Sequence, residues 1–247
     1  MEGVGVAGFI DVETTGLSST RDEIIELSLI LFTYDKSTGQ ILEIAEEYTG
    51  LREPSIPIPK EASRIHGITK RHVKGKELDH VRIEQMMDKA DFLIAHNARF
   101  DRGFVCRMYE VANQKILHCS MDGIDWRSKG FSSKGLQKLL AAHGIDPGEA
   151  HRADTDVKAA ITLLSQTDRE GQYYFAQLIQ GNGVKRRIAR SQDEVAATKE
   201  EPAKKPKQNL SQKSKPKDLE LNKKSVGCLS LFCLPVLIVA LLFLTLT

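Results

Sequence analysis

The chain has 247 residues, of which 41% are hydrophobic and 28% charged, and its net charge is +2 at pH 7. This composition is typical of a soluble globular protein and excludes a collagen-like or fully disordered chain. Four cysteines in a chain of this length do not make a disulfide framework and favour a reducing compartment.

The charge is distributed unevenly along the chain. Residues 185–224 hold 13 Lys and Arg against six Asp and Glu, a net charge of +7, and residues 225–247 hold no charged residue. Residues 1–184 are left with 22 basic and 27 acidic residues, a net charge of −5. We therefore predict a globular domain over residues 1–184, a disordered Lys-rich linker over 185–224 and an apolar segment over 225–247.

The apolar segment has the composition of a membrane span. Residues 226–246 carry no charge, and a helix of these 21 residues is about 30 Å long, the thickness of a bilayer core. We expect residues 225–247 to form a single-pass C-terminal transmembrane helix. Lys223 and Lys224 precede it, so the positive-inside rule places the globular domain on the cytoplasmic side. The basic linker is expected to lie against anionic lipid headgroups, to hold nucleic acid loosely or to act as a solvated spacer, and its position beside the apolar segment favours the lipid over the nucleic acid.

Strand signals come first in the globular domain, and helix and strand signals then alternate. The early strands are predicted at residues 6–12, 24–34 and 41–48, with a hairpin turn at 35–39 and an extended, proline-containing loop at 54–59. Helices are predicted at residues 81–90, 100–112, 133–143 and 153–165, and short strands at 92–95 and 116–119. Antiparallel strands followed by alternating elements predict an α/β domain with a mixed β-sheet flanked by helices.

The first predicted strand ends in two acidic residues. Asp11 and Glu13 are two positions apart, so the period of a strand places both carboxylates on one face, next to the turn Thr14-Thr15-Gly16. Such a pair suits a hard divalent cation, although a solvated strand end would also explain it.

Two later segments combine histidine with acidic residues where a helix is predicted to begin. The first is Ala95-His96-Asn97-Ala98-Arg99-Phe100-Asp101, and the second is His151-Arg152-Ala153-Asp154-Thr155-Asp156. Taken singly, these acids would merely favour the positive end of a helix dipole.

Together the three segments resemble the DEDDh 3′–5′ exonucleases of the ribonuclease H-like fold, the family that includes the proofreading subunit of bacterial replicative polymerase. They match its Asp-x-Glu-Thr-Thr-Gly, His-Asn-Ala-x-Phe-Asp and His-x-Ala-x-x-Asp motifs in order and spacing. A further match is Ile65-His66-Gly67-Ile68-Thr69, and the resemblance covers roughly residues 6–166.

The resemblance implies a role for each matching residue. The metal-site carboxylates would be Asp11, Glu13, Asp101 and Asp156, and His151 would be the general base. Contacts with the terminal nucleotide would come from Glu13, Thr14, Glu61, His66 and Asn97. The family's third motif needs its acid five residues after the histidine, so Asp154 is left as a helix N-terminal acid.

The chemistry of phosphodiester hydrolysis agrees with these roles. Two Mg²⁺ or Mn²⁺ ions held by four carboxylates would stabilise both the attacking and the leaving oxygen. A histidine, whose intrinsic pKa is about 6.5, accepts a proton from the attacking water near neutral pH. Arg99, Arg102 and Arg152 adjoin the motifs and are expected either to meet phosphate or to be ordinary surface residues.

We therefore expect a membrane-tethered, two-metal-ion 3′–5′ exonuclease that hydrolyses DNA or RNA ends to nucleoside 5′-monophosphates, with single-stranded DNA the favoured substrate. Two alternatives are an RNA-trimming exoribonuclease of the same family and a membrane-bound scaffold with a retired active site. The intact set of motif residues argues against the scaffold, and the membrane span argues against membership of a replication complex.

Overall fold

The structure is a computed structural model that describes residues 3–148 and 150–181. It contains a five-stranded sheet with the strand order β3-β2-β1-β4-β5. The strands are β1 (Val4–Thr14), β2 (Ile24–Asp35), β3 (Ile41–Leu51), β4 (Phe92–Ala95) and β5 (Leu117–Cys119). β1 pairs antiparallel with β2, and β2 with β3, whereas β4 runs parallel to both β1 and β5. The predicted mixed sheet is confirmed.

Helices cover both faces of the sheet. They are α1 (Lys60–His66), α2 (Lys70–Val73), α3 (His80–Lys89), α4 (Ala98–Met108), α5 (Glu110–Gln114), α6 (Leu136–Ala142), α7 (Ala153–Leu164) and α8 (Tyr174–Gln180). One hydrophobic core joins the sheet to α6, α7 and α8, and a second joins its other face to α3 and α4. Strand β2, which lies between β3 and β1, is buried on both faces, which explains its nearly continuous run of Ile and Leu.

The single helix predicted over residues 100–112 is wrong, because the chain forms α4 and α5 with a break at Tyr109. Tyr109 has extended backbone angles, φ −128° and ψ 114°, and its side chain is buried. Its hydroxyl lies 3.0 Å from Nδ1 of His80 on α3. Both helices pack against the same hydrophobic core, so an apolar pattern of helical spacing continues through a point at which the helix ends.

The predicted linker and transmembrane helix lie outside the described residues. Among the helices of residues 3–148 and 150–181, none is long and apolar enough to cross a bilayer.

Candidate active site

Asp11 and Glu13 lie on the face of β1 that packs against α7. Ala7 and Phe9 belong to the core shared with α7, whereas Ile10 belongs to the core on the opposite face. Because side chains alternate along a strand, Asp11 and Glu13 continue the series that begins at Ala7 and Phe9. The two carboxylates are therefore directed toward the N-terminal end of α7.

The segment that opens α7 supplies the third motif. One potential ligand atom from each of Glu13, His151 and Asp156 lies within 4.8 Å of the others, so the three side chains form a group able to hold a metal ion. Asp156 is fixed by two hydrogen bonds. Its Oδ1 accepts one from Nε2 of Gln137 at 2.8 Å, and its Oδ2 accepts one from the backbone N–H of His151 at 3.1 Å.

Asp101 approaches the same site from α4 on the other face of the sheet. It is only 2% exposed, and its charge is close enough to Asp11 to raise the pKa of that carboxyl. Within the described residues, its Oδ1 is buried and has no hydrogen-bond partner. A buried carboxylate oxygen without a partner is costly in a protein, and a cation would satisfy it. The donor set of hard oxygens therefore fits a divalent metal.

Crowding and burial disfavour ionisation of the four carboxyls. Burial first, and then the charges of Asp101, Glu13 and Asp156, raise the pKa of Asp11 well above its ordinary value. Burial and the neighbouring acids raise the pKa of Glu13 to about 8, and burial also raises the pKa values of Asp101 and Asp156. A bound cation would reverse this trend, because it favours the charged carboxylates.

We predict that the metal-free protein becomes less stable between pH 6.5 and pH 8. In this window folded Glu13 keeps a proton that its unfolded form, with a pKa near 4.5, has already lost. The folded state then binds more protons, and its stability falls as the pH rises. Each kcal/mol lost lowers Tm by about 2–4 °C in a protein of this size. Thermal unfolding in a chelator measures the effect.

The experiment begins at pH 6.5 so that the effect of the carboxyls on stability is separated from the effect of two histidines. Burial lowers the pKa values of His66 and His96 from their ordinary 6.5, so these groups increase stability as the pH rises toward that value. Mg²⁺ or Mn²⁺ should raise Tm more at pH 8 than at pH 6.5. A metal-free Tm that increases across this window would contradict the assignment.

The residues predicted to contact the nucleotide lie less close together than the residues of the acidic cluster. His66 is buried, and the charges of Glu26, Arg152 and His151 act on it. Its Nδ1 accepts a hydrogen bond from the backbone N–H of Ile68 at 3.0 Å, and its Nε2 is buried.

The other three residues that were predicted to contact the nucleotide are Thr14, Glu61 and Asn97. The hydroxyl of Thr14 donates to the carbonyl of Gly16 at 2.6 Å and so belongs to the turn after β1. Glu61 is exposed in the first turn of α1, and Asn97 is exposed before α4. Within the described part of the chain, neither side chain forms a hydrogen bond with the acidic cluster.

Sequence reasoning missed Glu26 and Gln137. Glu26 is completely buried in β2 and pairs with Arg152, the residue after His151. A charged residue within a strand of Ile and Leu is a detectable signal, since such residues are rarely buried unless paired. Gln137 has no comparable signal in the sequence. The Arg152 guanidinium donates to Glu26 through Nε and Nη2, a contact that neither of its predicted alternatives included, and its phosphate contact stays a prediction.

The sheet order and the acidic cluster define an α/β protein with a candidate site for divalent cations. The RNase_T family model, which describes exonucleases, matches residues 9–164. The chain therefore belongs to the DEDD-type 3′–5′ exonuclease family of the ribonuclease H-like fold.

Similar proteins include bacterial DNA polymerases of the PolC type. The chain is 32% identical to the PolC-type DNA polymerase III of Listeria innocua over 159 residues, which are 62% of this chain and 10% of the polymerase. It is also 32% identical over 162 residues to the PolC-type enzyme of Streptococcus thermophilus, with the same coverage of 62% and 10%. The chain thus spans about a tenth of the length of these relatives.

Solved structures of exonuclease I share the fold. One aligns with a TM-score of 0.56 and 21% identity, covering 71% of this chain and 43% of exonuclease I. The Escherichia coli enzyme in complex with a dT13 oligonucleotide aligns with a TM-score of 0.54 and 20% identity, covering 65% of this chain and 40% of the enzyme.

Proposed function

We propose that this protein is a divalent-metal-dependent 3′–5′ exonuclease that hydrolyses single-stranded DNA to nucleoside 5′-monophosphates. The observation that carries the proposal is the convergence of Asp11, Glu13 and Asp156 with His151 at one end of the sheet, joined by Asp101. A scaffold protein would have no need of several buried acids whose ionisation is unfavourable without a cation.

Asp11, Glu13, Asp101 and Asp156 would hold Mg²⁺ or Mn²⁺, with two ions per site. When bound, these ions supply a Lewis acid that stabilises negative charge on the phosphate and on the leaving oxygen. His151 is exposed, so its imidazole is accessible to a water and can accept a proton from it. Gln137 donates to Asp156 and keeps that carboxylate turned toward Glu13.

The preference for DNA is supported by the relatives. They include DNA polymerases, and the neighbouring exonuclease I structures contain dT13 and dA16 oligonucleotides. Residues 1–184 have a net charge of −5, so a long basic track for nucleic acid is not expected. We therefore propose that the enzyme binds only a few nucleotides at the 3′ end.

The test uses the 247-residue chain in detergent with 5′-labelled single-stranded DNA, duplex DNA and RNA of one sequence. With Mg²⁺ or Mn²⁺ we expect the single-stranded DNA to shorten stepwise from its 3′ end, with release of nucleoside 5′-monophosphates, and a chelator should stop the reaction. Faster shortening of RNA would instead support the exoribonuclease. A folded protein that hydrolyses none of the three would contradict the proposal.

We also propose that residues 225–247 tether the enzyme to a membrane with the exonuclease domain on the cytoplasmic side. The support is the uncharged run at 226–246 and the +7 charge of the 40 residues before it. A flexible linker of that length has a root-mean-square end-to-end distance of roughly 35 Å. The domain would then reach substrates near the bilayer while remaining free of it.

We predict that removing residues 184–247 releases the protein from membranes without changing its activity per molecule on short oligonucleotides. The 247-residue chain should resist extraction by high salt and by carbonate, and should dissolve in detergent. Fractionation followed by the oligonucleotide assay measures both properties. Release of the whole chain by salt alone would leave only lysine–lipid attraction, which salt screens. Loss of activity on truncation would make the removed segment part of the enzyme.

A further inference from the structure

We propose that Glu26, on β2, is a positioning residue for His151. It acts through the two residues that follow His151, Arg152 and Ala153, and its kinetic consequence rests on the proposed function. Glu26 lies outside all three sequence motifs.

Three hydrogen bonds connect Glu26 to the start of α7. Its Oε1 accepts from Nη2 of Arg152 at 2.6 Å, and its Oε2 accepts from Nε of Arg152 at 3.1 Å. The same Oε2 accepts from the backbone N–H of Ala153 at 3.0 Å. The Glu26 side chain is 1% exposed and the Arg152 side chain 30%, so the acceptor of these charge-assisted bonds is shielded from water, which strengthens them.

The position of Glu26 in the sheet links two motifs. Glu26 is the direct partner of Glu13 in the antiparallel register of β1 and β2. Directly opposed residues lie on the same face, so both carboxylates are directed toward α7. Glu26 therefore fixes the start of α7 relative to the strand that carries Asp11 and Glu13.

The backbone at His151 needs such support. Its φ is +61°, in the left-handed region that residues other than glycine adopt only when the surrounding structure stabilises it. On one side, the N–H of His151 donates to Asp156 at 3.1 Å. On the other side, Arg152 and Ala153 are bound by Glu26. The backbone that carries the imidazole is thus held between a candidate metal ligand and a buried carboxylate.

Stability alone is a weak explanation for this ion pair. Apolar residues of similar volume often replace a buried ion pair without loss of stability. A directional pair with three hydrogen bonds instead fixes the orientation of a segment, which matters when a base must be placed accurately.

The kinetic test is a double-mutant cycle on the 247-residue chain. Glu26→Gln keeps the size of the side chain but loses its charge and one acceptor. We expect it to lower kcat roughly 10²-fold, with KM changed less than about threefold, because misplacement by about 1 Å has such an effect. In a His151→Ala background the further loss in kcat should be below about threefold. Equal losses in the two backgrounds would overturn the proposal, since a purely structural defect acts independently of His151.

Two further variants keep the test decisive. Arg152→Lys breaks the paired hydrogen bonds from the other side while retaining the charge, and it should reproduce the same cycle if Glu26→Gln does not fold. Glu23→Gln is the matched control, because Glu23 pairs with Arg52 at 2.7 Å just before β2 begins. The control should retain kcat in both backgrounds.

Hydrogen exchange separates this inference from the proposed function. In metal-free protein, amides of residues 150–157 should exchange faster in Glu26→Gln than in the wild type, and Glu23→Gln should leave them unchanged. If the wild type hydrolyses no nucleic acid, the proposed function fails, yet faster exchange would still support the positioning contact. Unchanged exchange in a folded Glu26→Gln protein would overturn it.

Discussion

Replacement of Asp11 by alanine is expected to abolish hydrolysis and to leave the protein folded. Asp11 lies on β1, where the charges of Asp101, Glu13 and Asp156 all act on its carboxyl. In the proposed mechanism a ligand at this position would help to hold a metal that stabilises the transition state, a contribution of several kcal/mol. We therefore expect the rate to fall about 10³-fold or more, since each 1.4 kcal/mol corresponds to a factor of ten.

The same substitution should stabilise the metal-free protein. Burial and four neighbouring acids make ionised Asp11 unfavourable, so its removal relieves the repulsion between Asp11 and those acids. Tm in a chelator should rise, and the increase in Tm caused by Mg²⁺ or Mn²⁺ should shrink. Single-turnover hydrolysis and thermal unfolding measure the two effects.

Asp88→Ala is the matched control for loss of one negative charge. Asp88 lies on α3 with its side chain 82% exposed, and its ion pair with Lys115 spans 4.0 Å. Exposed pairs of this kind contribute little to stability, so activity and metal response should be unchanged. A folded Asp11→Ala protein with near-normal activity would contradict the role of Asp11.

The sequence predicted the local parts of this structure well. Asp11 and Glu13 could be placed on one face because two residues on a strand share a face whatever surrounds them. The strand at residues 92–95 was predicted with the bounds that the structure has for β4. The motif acids Asp101 and Asp156 were each expected near the start of a helix, and both lie in first turns.

What the sequence did not reveal depends on contacts between distant segments. The pairing of Glu26 with Arg152 joins residues 126 positions apart and requires the register of β1 and β2 to be known. The break at Tyr109 accompanies the packing of its ring beside His80 on another helix. Gln137 reaches Asp156 only after α6 has packed on α7. Periodicity carries no information on any of these contacts.

His151 has two possible roles that the structure makes distinguishable. It is exposed and adjacent to the acidic cluster, as a general base should be, yet it also belongs to the group of three side chains able to hold a metal ion. A base and a ligand differ in what their removal does to metal binding. Hydrolysis alone therefore cannot separate them.

We predict that His151→Ala lowers the rate of hydrolysis by roughly 10²–10⁴-fold, the range for loss of a general base, and leaves Mn²⁺ affinity unchanged. Asp156→Ala should lower both, because its carboxylate lies with Glu13 and is held by Gln137. Asp154 shares the first turn of α7 but is absent from the potential metal group, so Asp154→Ala is the matched control and should have a much smaller effect. Single-turnover rates and Mn²⁺ titration by electron paramagnetic resonance measure these effects.

Weaker Mn²⁺ binding in His151→Ala would make the histidine a ligand. A larger loss from Asp154→Ala than from Asp156→Ala would reverse the assignment of the third motif.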